Sequence, residues 1–359
     1  MTRRRWRHLG TLLLAATLLG WFAAPLPAEQ VEHLYARGLY PLISRLLVPL
    51  SSAVPWSLSG TTLLLMLAAL PVWMLYGRFH SRRSRERLGI RLWRWSWCLT
   101  ILALLTSSWF LLAWGINYRR TPIEQLLALP SRTVVAFDVE RLARSLTVVL
   151  QQTAEAPTDE AGALSALRET MSEVVTELTG TSVLLPWRVK RLPAGTLLTF
   201  GYAGITSPFW LEPHIDAGLS PPARVATAAH ELAHAAGFAR EADAEVLAAL
   251  AGLASEQPFA RYSVALNLFA RSSAELPRSV AQDLVAALPQ RARRDLQTEQ
   301  EVTSRYFHRE LASGLTRFYD RYLRTQGIAG GVGDYSRAVG LLATLARLGR
   351  LPEPVTEPP

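Results

Sequence analysis

The chain reads Ser220-Pro-Pro-Ala-Arg-Val-Ala-Thr-Ala-Ala-His-Glu-Leu-Ala-His-Ala-Ala-Gly-Phe-Ala-Arg-Glu-Ala-Asp-Ala-Glu245 over residues 220–245, and this stretch decides the fold. Ser220 suits the N-cap of a helix, Pro221 suits its first position, and Gly237 suits its C-terminal cap. The pattern therefore predicts one helix over 221–236. A second helix is predicted over 239–255, running back antiparallel to the first after the reversal at Gly237.

The first of these helices carries the motif His230-Glu231-Leu-Ala-His234. Residues four apart share one face of a helix, which lets both imidazoles reach a single tetrahedral Zn²⁺ ion. Glu231 then lies beside the open coordination position, where a carboxylate can take a proton from water and pass it to a leaving group. The spacing predicts a hydrolytic zinc site. The alternative is a pair of surface histidines with a glutamate between them.

A catalytic zinc ion needs a third protein ligand, and the return helix opens with acidic residues. We expect Glu241 to be this ligand, with Asp243 as the alternative. A simpler explanation of these acidic residues is that they form a solvated face of the helix. Glu245 stands four residues further on, where zincins with a glutamate ligand carry an acid or amide that steadies a ligand histidine. His214 and His308 lack helpful spacing, and we expect His214 on a strand face, lining the cleft.

The rest of residues 118–351 is predicted to be mostly helical with a small sheet. Strand character is confined to about 195–216, and its part 205–216 is placed to be an edge that holds an extended peptide substrate. A plain structural hairpin explains that pattern equally well. The tail, residues 352–359, is too rich in proline to pack and is predicted to be disordered. Apolar residues at three- and four-residue spacing predict further helices over 137–155, 159–179, 258–272, 298–325 and 334–349.

Residues 1–117 are predicted to form a membrane region with three transmembrane helices, at about 9–25, 58–77 and 95–117. The second and third stretches contain no charged residue, unlike the surface helices of soluble domains. The first stretch lacks the small-x-small pattern of a signal-peptide cleavage site, so we expect an uncleaved anchor. Seven arginines occur between residues 77 and 94, whereas the loop predicted over residues 26–57 holds only Arg37 and Arg45. The positive-inside rule places this segment in the cytoplasm and the chain after residue 118 outside it.

The positive charge belongs to the same N-terminal third. The whole chain has a formal net charge of +9, and residues 1–117 hold 13 arginines against 3 glutamates. A nucleic-acid-binding protein would carry its basic excess on the folded domain, so we expect no nucleic-acid partner. The lone cysteine, Cys98, lies in an apolar stretch and excludes an intrachain disulfide or a cysteine-based metal site.

Residues 230–245 are similar to the block HELxHxxGFAxExEAN of an uncharacterised family of bacterial membrane proteins, domain of unknown function 3810, with a gluzincin-like metallopeptidase domain. The chain departs from that block at Asp243, where the family has Glu, and at Glu245, where it has Asn. Gluzincins often use a Tyr or His to hydrogen-bond the transition state, and Tyr262 is a candidate for this role, with a core tyrosine as the alternative. Other similar stretches are Pro55-Trp-Ser, Trp114-Gly-Ile-Asn-Tyr118, Arg261-Tyr-Ser263, Tyr319-Asp-Arg-Tyr-Leu and Gly330-Gly-Val-Gly-Asp-Tyr-Ser336.

These observations predict a mainly α-helical protein of the bacterial inner membrane, multi-pass, with a cytoplasmic N-terminus and an extracytoplasmic zincin-like domain. We expect it to hydrolyse peptide bonds of a peptide or protein substrate with Zn²⁺ bound by His230, His234 and Glu241. One alternative is a non-catalytic zinc-binding envelope scaffold or sensor. Another is an intramembrane protease with the motif helix in the bilayer, which the charges at both ends of that helix disfavour.

Overall fold

The structure is a computed structural model, and it describes residues 10–15, 17, 18, 20, 26–84, 88–130, 135–326, 328 and 334–352. The protein is mainly helical with one small sheet, as predicted. We number the α-helices of nine or more residues among the described residues. They are α1 Tyr40–Ala53, α2 Leu58–Ser84, α3 Leu88–Ala113, α4 Ala136–Thr153, α5 Glu160–Thr179, α6 Pro221–Ala235, α7 Glu241–Ala254, α8 Pro258–Ala274, α9 Arg278–Ala286, α10 Gln290–Tyr306, α11 Arg309–Thr325 and α12 Asp334–Arg347.

The two helices of the opening stretch form where the local sequence predicts them, as α6 and α7. Ser220 is the N-cap residue of α6, although its hydroxyl donates to Glu299 Oε2 at 2.6 Å and makes no hydrogen bond to the helix. Gly237 ends the turn with a φ of +90°, in the left-handed region that favours glycine. A Cβ atom there would lie 2.8 Å from the ring of Tyr40, so the position also requires glycine for space.

The central helix of the core is α6, which packs against α5, α7 and α8 on one side and against the sheet on the other. Four of its alanines are fully buried and let the neighbouring helices approach closely, namely Ala228, Ala229, Ala233 and Ala235. Between α7 and α8, a Cβ atom on Gly252 would come within 2.4 Å of Val264 Cγ2. The motif helix is therefore enclosed by well-packed neighbours.

The sheet has three strands, β1 Lys190–Leu192, β2 Gly204–Ser207 and β3 Glu212–Asp216, in the order β1-β3-β2. β3 runs parallel to β1 and antiparallel to β2, with Ile205 opposite His214. Strand structure was predicted over about 195–216, but the part before residue 203 is a short 3-10 turn, Leu198–Phe200. The reason is the carboxylate of Asp216, which accepts hydrogen bonds from three backbone N–H groups between Gly195 and Leu198.

Two other predictions of helix boundaries were wrong. The stretch predicted as one helix over 298–325 is divided between α10 and α11, because the chain turns at Phe307 and the N–H of His308 donates to Thr199 O at 3.0 Å. The segment 26–57, taken as a loop between membrane spans, is mostly helical. It forms a π-helix, Val31–Leu39, that continues into α1.

One helix among the described residues is long and apolar enough to cross a membrane, Trp95–Ala113 within α3. A second span is possible if the pair Ala28–Ala53 and Leu58–Trp73, bent by 82°, is counted as one. Leu63, Leu64 and Leu65 on α2 are more than half exposed, and Trp73 of α2 contacts Trp95 of α3. The first predicted span, 9–25, lies partly outside the described residues, as do residues 353–359 of the predicted tail.

The start of α2 is joined to the sheet by one buried carboxylate. Glu212 on β3 accepts hydrogen bonds from the backbone N–H groups of Leu58 and Ser59, each at 2.9 Å, and forms an ion pair with Lys190 of β1. Burial raises the pKa of a carboxyl group, but hydrogen bonds from His214, Lys190 and Ser59 outweigh it and lower the pKa of Glu212 well below its ordinary value. The carboxylate is therefore charged at neutral pH and caps the helix N-terminus.

Candidate metal centre

Three side chains on α6 and α7 converge on one point. His230, His234 and Glu241 each offer a ligand atom, and these atoms lie within 4.8 Å of one another. Glu241 Oε2 is 3.2 Å from Nε2 of His230 and 3.4 Å from Nε2 of His234. Bonds of about 2.0–2.1 Å to a tetrahedral zinc ion would separate its ligand atoms by roughly 3.4 Å. The cluster therefore has the donor atoms and the spacing to hold a metal ion.

The outward nitrogen of each imidazole is held by a hydrogen bond. His234 Nδ1 lies 2.8 Å from the carbonyl oxygen of Phe238, which can only accept, so Nδ1 carries the hydrogen. His230 Nδ1 lies 3.0 Å from Glu245 Oε2. These contacts turn both Nε2 atoms towards Glu241, which is the arrangement in which neutral histidines bind metal. Glu245 thus occupies the supporting position predicted for it, and Arg271 lies 3.3 Å from its other oxygen.

The backbone of the turn between α6 and α7 is held by residues from the N-terminal third of the chain. Tyr40 donates its hydroxyl hydrogen to Ala235 O at 2.8 Å, and the indole N–H of Trp114 donates to His234 O at 3.2 Å. Arg120 donates to Gly237 O at 3.0 Å and makes a two-bond ion pair with buried Glu32. These bonds fix carbonyl groups at the C-terminus of α6 and in the turn that follows it.

Glu231 lies beside the cluster with one oxygen fixed and the other next to a glycine. The hydroxyl of Thr206 on β2 donates to Glu231 Oε2 at 2.7 Å. A Cβ atom on Gly204 would lie 2.6 Å from Glu231 Oε1, so only glycine leaves that space open. Burial raises the pKa of Glu231 above its ordinary value, which makes the carboxylate a stronger base.

The charged side chains of the cluster shift one another's pKa values. Burial lowers the pKa of the His230 imidazole, but hydrogen bonds to Glu241 and Glu245 outweigh it and raise the pKa to about 10. Burial likewise raises the pKa of both glutamates, yet Glu241 is shifted well below its ordinary pKa by His234 and His230, and Glu245 to about 2 by Arg271 and His230. Both carboxylates are thus charged at neutral pH, so Glu241 can bind a cation while Glu245 supports His230.

Two cavities meet at this site and share Tyr202, Gly204, His230 and Glu231. The first, which we call the polar cavity, has a volume of about 340 Å³ and is bordered by Thr227, Asn267 and Arg271 among others. The second, the apolar cavity, has a volume of about 230 Å³. Its apolar lining includes Leu197, Phe200, Trp114, Leu315 and Phe318. An extended molecule could therefore contact both cavities while passing Glu231.

The structure brings a tyrosine to the metal centre, but it is Tyr319 and not Tyr262. The hydroxyl of Tyr319 on α11 donates to Glu241 Oε1 at 2.6 Å, and its ring contacts that of Tyr202. Tyr262 is fully buried and donates to Asp295 Oδ2 at 2.6 Å, and it lines neither cavity. One stretch that resembles the family, Tyr319-Asp-Arg-Tyr-Leu, contains Tyr319. No local sequence pattern connects this tyrosine to Glu241.

The other histidines and the alternative carboxylate lie away from the cluster. Asp243 is fully buried, and its oxygens lie 3.9 Å from guanidinium nitrogens of Arg240 and Arg337. His214 is on β3 as predicted, but it is buried against Ser57 and Glu212 and does not line either cavity. His308 is exposed at the start of α11. None of the three belongs to the metal-binding group found among the described residues.

The comparisons with known proteins identify a family but no activity. No curated protein and no solved structure matches the chain. A match over residues 35–343 is to the family described as protein of unknown function (DUF3810). It includes every residue of the candidate metal centre, from His230 to Tyr319. Because the match extends over most of the sequence, the chain belongs to the DUF3810 family.

Proposed function

We propose that the protein is a membrane-anchored, zinc-dependent metallopeptidase whose catalytic domain is zincin-like. The observation that carries the proposal is the convergence of His230, His234 and Glu241 within 4.8 Å, with the carboxylate of Glu231 beside them. A structural zinc site is usually closed by four protein ligands and has no use for a neighbouring basic carboxylate. Three ligands and a general base at the junction of two cavities favour hydrolysis over the scaffold or sensor alternative.

Each residue has a defined part in this reaction. When bound, the zinc ion supplies Lewis acidity, which lowers the pKa of a water molecule towards neutrality. Glu231 would take a proton from the attacking water at Oε1, the oxygen that Thr206 leaves available, and would pass it to the leaving amine. Tyr319 orients Glu241 by donating its hydroxyl hydrogen to Oε1, and the tyrosine lines the apolar cavity beside the cluster.

The substrate would lie along the outer edge of β2. This strand pairs only with β3 among the described residues, and Gly204, Ile205 and Thr206 line the apolar cavity. An extended peptide can add to such an edge through main-chain hydrogen bonds. Its scissile bond would then pass Glu231, next to the space that Gly204 leaves open.

The location in the bacterial inner membrane is part of the same proposal. Trp95–Ala113 has the length and composition of a span, and exposed leucines surround the neighbouring helix α2. The arginines between residues 77 and 94 favour a cytoplasmic position for that part of the sequence, with the metal centre on the opposite side of the membrane. The motif helix α6 is not among the candidate spans of the described residues, which disfavours the intramembrane-protease alternative.

The proposal is tested on the full chain purified in detergent, by zinc analysis and by hydrolysis of a mixture of quenched-fluorescence peptides. We expect about one zinc ion per chain in the wild type and in Glu231→Gln, and none in His230→Ala. Hydrolysis should fall by about 100-fold or more in Glu231→Gln, because the proton transfer has lost its base. Glu256→Gln, at an exposed carboxyl between α7 and α8, serves as the matched control. A wild type without zinc, or a Glu231→Gln variant as active as the wild type, would overturn the proposal.

A further inference from the structure

Helix α11 has an apolar face that the rest of the described chain does not cover. Leu311, Leu315, Phe318 and Tyr322 follow one another at spacings of four, three and four residues, so they form one row along the helix. Leu311 is 49% exposed and Phe318 is 71% exposed, whereas Ala312 and Leu323, on the flank beside this row, are buried. The helix is thus attached to the protein by its flank and by Tyr322, while Leu311, Leu315 and Phe318 are exposed.

The last residue of this row connects it to the candidate membrane span. The ring of Tyr322 contacts Phe110 of α3, with ring centroids 6.3 Å apart, and also contacts Tyr118. On α3 itself, Leu105, Trp109 and Leu112 are exposed close to the same end of the helix. The uncovered face of α11 therefore continues directly from the apolar surface of the span, at the end where a membrane boundary would lie.

The opposite side of α11 has the charge of a helix that rests on lipid headgroups. Its polar positions carry four arginines, at residues 309, 317, 321 and 324, against Glu310 and Asp320. Helices that lie in the plane of a membrane combine an apolar face, buried some 5–10 Å into the headgroup boundary, with a polar face rich in arginine and lysine. Continuity with the span and this excess of positive charge both point to a bilayer as the occupant of the exposed face.

The same helix forms one wall of the apolar cavity. Leu315 and Phe318 line it together with Glu241 and His230. We propose that the exposed apolar face of α11 lies in the membrane surface, so that the apolar cavity admits a polypeptide that is itself anchored in the bilayer. The position of α11 in the membrane surface is inferred from contacts and exposure of α11 and α3 alone. The class of substrate depends in addition on the proposed peptidase function.

The first test locates the helix without using activity. In the full chain with Cys98→Ser, a fluorophore is attached through Leu311→Cys, which does not line the cavity, and the protein is placed in liposomes containing anionic lipid. We expect nitroxide groups on the lipid acyl chains to quench the label at residue 311 several-fold more strongly than the same label at two control positions. The controls are Arg317→Cys, on the polar face of the same helix, and Val148→Cys, exposed on α4. Quenching of the Leu311 label mainly by aqueous iodide would overturn the proposal. Protection from both quenchers would overturn it in favour of a second copy of the chain or another protein.

The second test concerns the substrate class. One quenched-fluorescence peptide sequence is offered to the wild type in liposomes in two forms, free in solution and acylated at one end so that it is held in the bilayer. We expect the acylated form to be hydrolysed at least several-fold faster at equal total concentration, with the Glu231→Gln chain as the background. Equal rates would overturn the substrate class. Hydrolysis of neither form would contradict the peptidase proposal, and the quenching result would still decide where α11 lies.

Discussion

The candidate site has two walls that differ in how they are built. The ligand wall, formed by α6 and α7, takes all its metal-binding atoms from residues 230–241, and its side chains and backbone are held by hydrogen bonds to buried partners. The facing wall is formed by β2 and α11, which are about 100 residues apart in sequence, and Ile205 and Phe318 are more than half exposed. The ligand wall, which would perform the chemistry, is held by hydrogen bonds to buried residues. The facing wall, which would contact the substrate, has exposed side chains.

The difference between the walls indicates where substitutions should act. A change behind the ligand wall removes a buried contact and should reduce stability or metal affinity. A change on the facing wall should alter the response to substrate and leave the fold intact.

The largest effect should come from Arg120→Met, which removes the support of the turn at Gly237. The substitution leaves the buried carboxylate of Glu32 without its two-bond partner, and we expect the free energy of unfolding to fall by about 3 kcal/mol. Chemical denaturation of the full chain in detergent measures it. The control is Arg144→Met, whose exposed pair with Glu140 should contribute about 0.5 kcal/mol or less. Equal losses in the two variants would show that the turn does not depend on this support.

A smaller effect is expected from Glu245→Gln. Glutamine can still accept the hydrogen bond from His230 Nδ1, but the charge that strengthens that bond is lost. Substitutions of such supporting groups typically weaken metal binding by about 10–100-fold, and we expect a loss in this range. Competition with a zinc-binding indicator gives the affinity, and Glu256→Gln supplies the comparison. An unchanged affinity would mean that Glu245 does not orient the histidine.

The smallest effect is expected from Tyr319→Phe, at the meeting point of the two walls. The variant loses one hydrogen bond to Glu241, a change of about 1 kcal/mol that corresponds to a roughly fivefold weaker zinc affinity. Tyr262→Phe is the matched control, since its hydroxyl hydrogen bonds to Asp295 and should not influence zinc. If Tyr262→Phe weakened zinc binding and Tyr319→Phe did not, the assignment of the two tyrosines would be reversed.

The ligand wall could be predicted from the sequence better than the facing wall. Pro221 and Gly237 act on neighbouring residues, so the helix pair and the spacing of its ligands could be predicted from one short stretch. Asp216 shapes residues 195–198 through its side chain, from about 20 residues away, and no pattern within 195–202 distinguishes the resulting turn from a strand.

The remaining parts of the site depend on contacts between distant segments. Tyr319 is 78 residues from Glu241, and Tyr40 is 195 residues from Ala235. Periodicity and capping carry no information on such pairs, so the sequence offers Tyr262 as a candidate only through the family resemblance, with a core tyrosine as the alternative, and it predicts a loop around Tyr40. The break before α11 was missed for a related reason, because neither glycine nor proline occurs at Phe307-His308.

The bond between Glu212 and the first turn of α2 has a mechanical consequence. β3, which carries Glu212, is hydrogen-bonded to β2, so the strand bordering the metal centre is connected through this buried carboxylate to the beginning of a long apolar helix. Lys190 and Trp210 add hydrogen bonds to Trp56 and Thr62 in the same region. Removing the carboxylate should therefore loosen the strand and the helix together, because both are fixed by the same buried group.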